Sequence, residues 1–381
     1  MLGPEKIHKN LDNYDKDDLT ATTICSHSSY QIFHGFKKEG FKTMGIVKSK
    51  EQQEIYEAYP GACPDKFMIV DEYKDILKQK NQDEIKKENG VMIIHGSFVA
   101  YVGADKILNE LEIPAFGNRN SIVHESDRNK QRIWLQDYAG LKMPKEYEID
   151  EITNLAIVKL HGAHGGRGFT RARNPDEVRK NLKYMVESGV ISKEDSMGDI
   201  TVQEYIDGAR QYHHYFLTKL NNEIGGVPVE HNGEKIGKLV LCSVDRRDET
   251  NIDDIHRTGL NPEELKEVGI RPTYTVCGNI PLVVRESLLP KIYDMGKRTV
   301  KASAELFPPG INGPFCLETF CRPNLDYVTF EISGRIVAGT NFFINGSPYL
   351  DLIEPGLSTG KLIAREIKEG VKQDRLNKII Y

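Results

Sequence analysis

Lys159 stands inside an apolar run, Ile157 to Leu160, that leads into HGAHGGRGF, where Gly162, Gly165, Gly166 and Gly168 surround Arg167. Backbone N–H groups approach an anion closely only where side chains are absent. A strand feeding a basic, glycine-rich turn is therefore suited to closing over phosphate groups. The plain alternative is a mobile loop with no ligand, but such a loop rarely needs two cations among four glycines. Further along, GPFCLETF sets Glu318 among Phe315, Leu317 and Phe320, and YVTFEISGR sets Glu331 between Phe330 and Ile332. Isolated carboxylates in apolar surroundings are costly and usually meet a cation. Adjacent antiparallel strands would bring the two to one magnesium ion, whose preference for hard oxygens suits carboxylates plus phosphate oxygens. Two edge glutamates facing solvent are the alternative. Arg335, on the same strand face as Glu331, can touch the same phosphates.

A second group of polar residues lies near the N-terminus, where Ser26-His27-Ser28-Ser29 and His95-Gly96-Ser97 each follow a short apolar segment. His27 alone reads as a strand-end histidine bonded to backbone. Two matching polar ends, each followed by a helix start, suggest an anion pocket instead. The chemistry thus assembled is a nucleotide site: a glycine loop, lysines, paired glutamates and Mg²⁺. It is not a Walker-type loop, because GxxxxGK[ST] is absent, and GAHGGRG lacks the spacing of a dinucleotide fingerprint.

The elements that must position these residues alternate strand and helix over the first third. TATTICSH (20–27) reads as a strand, 29–40 as a helix stopped by Gly40, and FKTMGIV (41–47) as a strand. KFMIVD (66–71), GVMIIHG (90–96) and IPAFG (113–117) follow, with a charged helix at about 73–88. This alternation predicts a parallel, doubly wound sheet whose ligands sit at the carboxyl ends of the strands. A helix is expected from 125, capped by Asp127 and burying Ile133, Trp134 and Leu135. It precedes the glycine loop, a helix near 175–187 and a strand over 199–208. Residues 219–238, rich in Gly, Asn and charge, read as an exposed hairpin.

The 381 residues allow about two domains. Charged residues make up 28% and hydrophobic residues 39%, ordinary for a soluble enzyme, and the net charge of −5 disfavours nucleic acid as a partner. No apolar run approaches a membrane span. The six cysteines are scattered without a CxxC pair, which fits a reduced, cytoplasmic setting, and Cys316 and Cys321 read as core residues.

The order of strand lysine, glycine loop, QEYI hinge, Glu318 and EISGR resembles an ATP-grasp enzyme. More narrowly, SHSSYQIFHGFKKEGF, HGSFVAY, PAFGNRN, GAHGGRGF, RRDETNID, TYTVCGNIPLVVRESLLP, GPFCLE and FEISGRIVAGTNFFINGSPY resemble the archaeal formate-dependent FAICAR synthetase family (5-formaminoimidazole-4-carboxamide ribonucleotide synthetase, PurP). The resemblance covers nearly the whole chain. It implies an α/β fold, α+β in its C-terminal part: an ATP-grasp fold (123–381) preceded by a Rossmann-like domain (1–122). The lid would span about 140–208 and the catalytic part about 209–381. It also implies formylation of AICAR by formate and ATP, giving FAICAR, ADP and phosphate through formyl phosphate. His27, Ser97 and Asn279 match the AICAR contacts. Lys159 and Gly165, Gly166, Arg167 and Gly168 match the triphosphate grip. Glu204, Ile206, Glu249 and Lys130 match further ATP contacts. Glu318 and Glu331 match ligands of Mg²⁺ or Mn²⁺, and Arg335 is assigned to the phosphates. A homo-oligomer is expected. A paralogous ATP-grasp ligase acting on another acid or amine is the alternative, and a nucleotide-binding regulator without turnover is a third reading.

Overall fold

The computed structural model describes residues 2–160, 169–187, 191–192, 200–270, 272–273, 276–338 and 344–381. The N-terminal sheet comprises β1 (Thr20–Ile24), β2 (Lys42–Val47), β3 (Lys66–Ile69), β4 (Gly90–Ile93) and β5 (Ala115–Phe116). Its order is β3-β2-β1-β4-β5, and the pairings are parallel. Every residue of β1 and of β4 is buried, because helices cover both faces of the sheet; the continuous apolar runs in the sequence reflect this. The chain steps outward from β1 in one direction to β2 and β3, and in the other to β4 and β5. The crevice at such a reversal, beyond the carboxyl ends of β1 and β4, is where doubly wound sheets bind ligands.

The expected strand at 90–96 ends at Ile93, and Gly96 already opens the short helix Gly96–Tyr101. The imidazole of His95 accepts from Ser97 N–H at 3.4 Å and turns the chain. The helix expected from 125 is also corrected. One helix ends at Ser126, and Asp127 caps a second by accepting from the N–H groups of Asn129 and Lys130 at 2.9 and 3.0 Å. A π-helical segment, Ile133–Tyr138, then widens the turn. Trp134 and Leu135 are fully buried, but Ile133 is 42% exposed. Wider turns change the angle between successive side chains, so three consecutive apolar residues do not share one side.

A small antiparallel sheet, β6 (Glu146–Tyr147), β7 (Ala156–Leu160), β8 (Phe169–Ala172) and β9 (Ile200–Glu204), has the order β6-β9-β7-β8. The helix Pro175–Glu187 packs Val178 against Ala156, Val158 and Val202 of this sheet. The largest sheet holds β10 (Ala209–Thr218), β11 (Val227–His231), β12 (Glu234–Glu249), β13 (Val276–Pro281), β14 (Gly313–Cys321) and β15 (Tyr327–Ser333). Its order is β11-β12-β10-β14-β15, with β13 added on β12. The hairpin expected over 219–238 is narrower: Asn232 and Gly233, at φ 52° and 80°, turn β11 into β12. Positive φ at both central residues is the Asn-Gly hairpin signature. Val229 within it is fully buried, so the hairpin is not simply exposed.

One face of the large sheet is covered by the helix Leu289–Leu306. Gly296 allows this approach, since a Cβ there would lie 2.7 Å from Leu239 and 2.8 Å from Tyr215. The C-terminal helix, Thr359–Lys372, crosses Ser29–Lys38 at two glycines; a Cβ on Gly35 would lie 2.4 Å from the backbone of Gly360. The chain end then pairs with β5, Tyr381 N–H donating to Ala115 C=O at 2.9 Å. A single apolar cluster consequently joins Ile32, Phe36 and Val91 to Phe216, Val240 and Leu362.

Candidate active site

The chemistry gathers on the other face of the large sheet. In its antiparallel register Tyr212 opposes both Asp245 and Glu318, Glu318 opposes Glu331, and Arg247 opposes Asn279. Directly opposed residues share a face, as do residues two apart in a strand. The alternation of β10, β12, β14 and β15 thus puts Tyr212, His214, Asp245, Arg247, Asn279, Glu318 and Glu331 on one surface.

Arg247 binds this surface together. Its guanidinium lies 3.0 Å from Glu318 Oε1 and stacks 3.8 Å from the centre of the Tyr212 ring. Its Nε is buried without a hydrogen-bond partner among the described residues. Glu318 is 4% exposed, whereas Glu331 is open to solvent on the cleft side while surrounded by protein on the others. Burial and the negative charge of Glu318 raise the Glu331 pKa, against the pull of Arg247, Lys159 and Arg335. Lys159, on β7 of the small sheet, faces this cleft. Burial lowers its pKa, and Glu331 is the foremost group acting to restore the charge. Two opposed carboxylates with mutual repulsion, and with no softer ligand between them, fit a hard divalent cation. Among the described residues no cluster of three or more His, Cys, Asp or Glu side chains forms a closed metal cage. Mg²⁺ is commonly held by one or two carboxylates, with phosphates and water completing the shell.

After Ser333 the chain runs directly over the carboxyl ends of the parallel sheet. Ile336 bridges His95, Gly96 N–H donates to Ile336 C=O at 3.0 Å, and Ser121 Oγ donates to Gly334 C=O at 2.8 Å. Arg335 pairs with buried Glu125 at 2.9 Å. It comes so near His27 around Gly96 that a Cβ at 96 would lie 3.0 Å from His27 Nε2 and 3.2 Å from Arg335 Cζ. A side chain there would have to push the His27 ring or the Arg335 guanidinium aside by a few tenths of an ångström.

The tautomer of His27 follows from its neighbours. With Ser28 Oγ donating its single proton to Val337 C=O at 3.1 Å, it accepts from His27 Nδ1–H at 3.0 Å. Nε2 is left as a lone pair facing the cleft. Desolvation, then Arg335 and Arg247, lower the His27 pKa to about 4, so the ring is neutral near pH 7 and offers an acceptor. His95 is the reverse tautomer: Nε2–H donates to Ile24 C=O at 3.0 Å. Ser97, 3% exposed, donates to Ser26 Oγ at 2.9 Å and lies beneath the surface of the crevice.

A separate cavity of about 490 Å³ lies where β9 leaves the small sheet, lined by Leu141, Met143, Lys145, Glu204, Arg322 and Val328 among others. Glu204 is held by Arg322 at 2.5 Å and accepts from Lys145 N–H at 3.3 Å. Ile206 is buried nearby in sequence, at 6% exposure. Glu331 does not line this cavity but sits three residues beyond Val328 on β15. Glu249 is ion-paired with Arg210 at the far end of β12. Lys130 is half exposed and 3.9 Å from Asp127; that ion pair ties it to its own helix rather than to the cleft. Gly165, Gly166, Arg167 and Gly168 lie outside the described residues.

Glu125, Tyr212, His214, Asp245 and Arg247 were not selected from the sequence. Glu125 and Arg247 were detectable in principle as charges beside apolar segments. Tyr212, His214 and Asp245 become visible only through the cross-strand register.

A Rossmann-like parallel sheet joined to two antiparallel sheets is the ATP-grasp arrangement, and solved structures share it. The ADP complex of purK, an N5-carboxyaminoimidazole ribonucleotide synthetase, superposes with TM-score 0.58 at 12% identity, covering 92% of this chain and 76% of that one. An IMP biosynthesis protein PurP from Thermococcus kodakaraensis superposes with TM-score 0.69 at 27% identity, covering 95% of this chain and 100% of that one. The families described as "Protein of unknown function (DUF1246)" and "Domain of unknown function (DUF1297)" match residues 21–147 and 177–381. A 5-formaminoimidazole-4-carboxamide-1-(beta)-D-ribofuranosyl 5'-monophosphate synthetase 1 of Methanosarcina mazei is 46% identical over the full length of both chains. The synthetase of Methanothermobacter thermautotrophicus is 40% identical, over 99% of this chain and 98% of its own. The chain belongs to this family of synthetases, ATP-dependent ligases of purine biosynthesis.

Proposed function

We propose that this chain formylates the 5-amine of AICAR with formate and ATP, releasing FAICAR, ADP and phosphate. The observation that carries this reading is identity of 46% to a named FAICAR synthetase over the whole of both chains. The geometry supports it, because the crevice of the parallel sheet and the carboxylate face of the large sheet meet at Arg335 and His27. Residues 1–122 would then hold the ribonucleotide and 123–381 the ATP.

The reaction needs two transfers. A formate oxygen attacks the γ-phosphorus, the bond to the β–γ bridging oxygen breaks, and ADP leaves. The amine nitrogen then attacks the formyl carbon, the C–O bond to phosphate breaks, and the nitrogen gives up a proton. Glu318 and Glu331 would hold Mg²⁺ or Mn²⁺, which when bound offsets negative charge on the phosphates. Arg247 and Arg335 present guanidinium groups to the transferring phosphoryl and the carboxylate, where bidentate contacts favour planar anions. Lys159 adds a cation from the small sheet. The cavity beside Glu204, where Leu141, Met143 and Val328 lie among charged and polar side chains, would take the adenine and its ribose. His27 Nε2, a neutral acceptor, is suited to receive an N–H or O–H from the ribonucleotide.

Phosphate release with AICAR and formate, each omitted in turn, tests this. Release that requires both supports the reading. Release with another carboxylate or amine, but not with this pair, favours the paralogous ligase.

A further inference from the structure

Asp245 is fully buried, and both its oxygens are occupied. His214 Nε2–H donates to Oδ1 at 2.5 Å, and Asn279 Nδ2 donates to Oδ2 at 2.6 Å. A carboxylate only accepts, so the Asn279 amide has one orientation available: turning it over would set its carbonyl against the carboxylate. His214, itself 4% exposed, fixes Asp245 from the opposite side. The Asn279 carbonyl oxygen has no hydrogen-bond partner among the described residues, and the residue is only half buried. Its cross-strand partner Arg247 reaches Glu318, which opposes Glu331 in the cleft. Asn279 therefore borders the same cleft.

We propose that Asp245 is a positioning residue: it locks the Asn279 amide so that the cleft meets a hydrogen-bond acceptor, which selects an N–H donor on the amine or carboxamide edge of the imidazole substrate. This deepens the proposed function and rests on it. With His27 Nε2, the cleft then carries two neutral acceptors. A site built of acceptors favours a ligand edge rich in N–H groups over one bearing a carboxylate, since lone pairs facing lone pairs are left unsatisfied.

The test uses the full-length enzyme with AICAR, ATP, formate and Mg²⁺, and three variants: Asp245→Asn, Asn279→Asp and the double exchange. Asp245→Asn can donate or accept, so it frees the Asn279 amide to turn. KM for AICAR should rise roughly ten- to a hundredfold, the usual loss for a hydrogen bond to a buried or charged group. KM for ATP should stay near the wild-type value. Asn279→Asp sets two carboxylates against each other and should weaken AICAR likewise. In the double exchange the new amide at position 245 can donate to the new carboxylate at position 279. The second oxygen of that carboxylate is again an acceptor, so KM for AICAR should return toward wild type. Melting temperatures and ATP affinity check that each variant folds. The same assays with the analogue bearing a carboxylate in place of the carboxamide separate the two donors. A loss confined to AICAR identifies the carboxamide N–H, and an equal loss for both identifies the amine. An unchanged KM for AICAR in Asp245→Asn overturns the proposal. So does a parallel rise in KM for ATP, or an exchange variant that melts like wild type yet stays weak for AICAR. If the wild-type enzyme neither binds nor formylates AICAR, the functional reading falls, and the inference falls with it.

Discussion

Replacing Glu331 by Gln should make the metal-free protein more stable at alkaline pH while removing its response to Mg²⁺. Glu331 directly opposes Glu318 across β14 and β15. Cross-strand partners lie about 5 Å apart, where two like charges cost roughly 3 kcal/mol at an effective dielectric of 20. Arg247, Lys159 and Arg335 offset part of this, and the open side of Glu331 admits screening water, so about 1 kcal/mol is the expected net effect. The sign follows from the raised pKa, about 7 in the folded chain against about 4.3 unfolded. A group raised in this way contributes stability below the unfolded value and loses it as pH rises through the folded one. His27, lowered to about 4, and buried His95 and His213, each lowered to about 3, titrate in the opposite sense, since their unfolded forms bind protons below about 6.5. The assay is therefore the difference between wild type and Glu331→Gln in thermal melts from pH 5 to 8, with and without Mg²⁺ and a non-hydrolysable ATP analogue. The two proteins should melt together near pH 5. By pH 8 without metal the variant should lead by on the order of 2 °C, and Mg²⁺ with nucleotide should stabilise wild type alone. A variant that melts lower than wild type at pH 8 without metal, or equal stabilisation of both by Mg²⁺, would refute the reasoning.

His27→Ala should weaken AICAR by about 1–3 kcal/mol with ATP affinity almost unchanged; calorimetric titration of each ligand is the check, and equal losses would make His27 structural. Arg247→Lys keeps the charge but loses the guanidinium's stack on Tyr212 and its placement against Glu318. Turnover should fall at least about tenfold, and steady-state rates at saturating substrates that match wild type would remove Arg247 from the phosphate-handling set. Glu366, fully buried, accepts from Thr218 Oγ1 and from the N–H groups of Lys219, Leu220 and Asn221. Glu366→Ala strands these donors, so unfolding free energy should drop by about 3 kcal/mol or more in denaturant titrations, and a loss below about 1 kcal/mol would mean water replaces the carboxylate.

The first sheet was readable because its strands are buried on both faces, so each appears as a short apolar run closed by polar residues. The same reading overran at residues 94 to 96, where a histidine ring, not a Gly or Pro signal, ends the extension. Ile133 failed for a related reason: the 3.6-residue period assumes an α-helix, and the wider turns there are set by packing around Trp134. Glu318 and Glu331 were singled out from sequence because carboxylates amid phenylalanines are conspicuous, and the register sets them opposite one another. Asp245 was not, since "SVDRRDE" offers two aspartates and two arginines with nothing local to rank them. Its place is fixed by Tyr212 and His214, about thirty residues earlier, through a register that a bulge between His214 and Tyr215 shifts. The tautomer of His27 was not readable, because it depends on Val337, 309 residues from Ser28.

That long-range contact also explains why the crevice of the parallel sheet and the polar face of the large sheet meet. A doubly wound sheet offers its crevice at the carboxyl ends of β1 and β4, and an antiparallel sheet offers one polar face; neither dictates the other's position. The link is the segment after β15, which leaves the row of Glu331, passes Arg335, and hydrogen-bonds through Ile336 and Val337 to Gly96 and Ser28. Arg335 is fixed on one side by Glu125, and its Nε, like that of Arg247, is buried without a hydrogen-bond partner among the described residues. Buried N–H groups are normally satisfied because leaving them unpaired is costly. Two arginines that keep such groups at the junction, beside two carboxylates in mutual repulsion, show packing there subordinated to charge. The stability of the surrounding cores, continuous from Ile32 to Leu362, is what allows the junction to remain poised in that way.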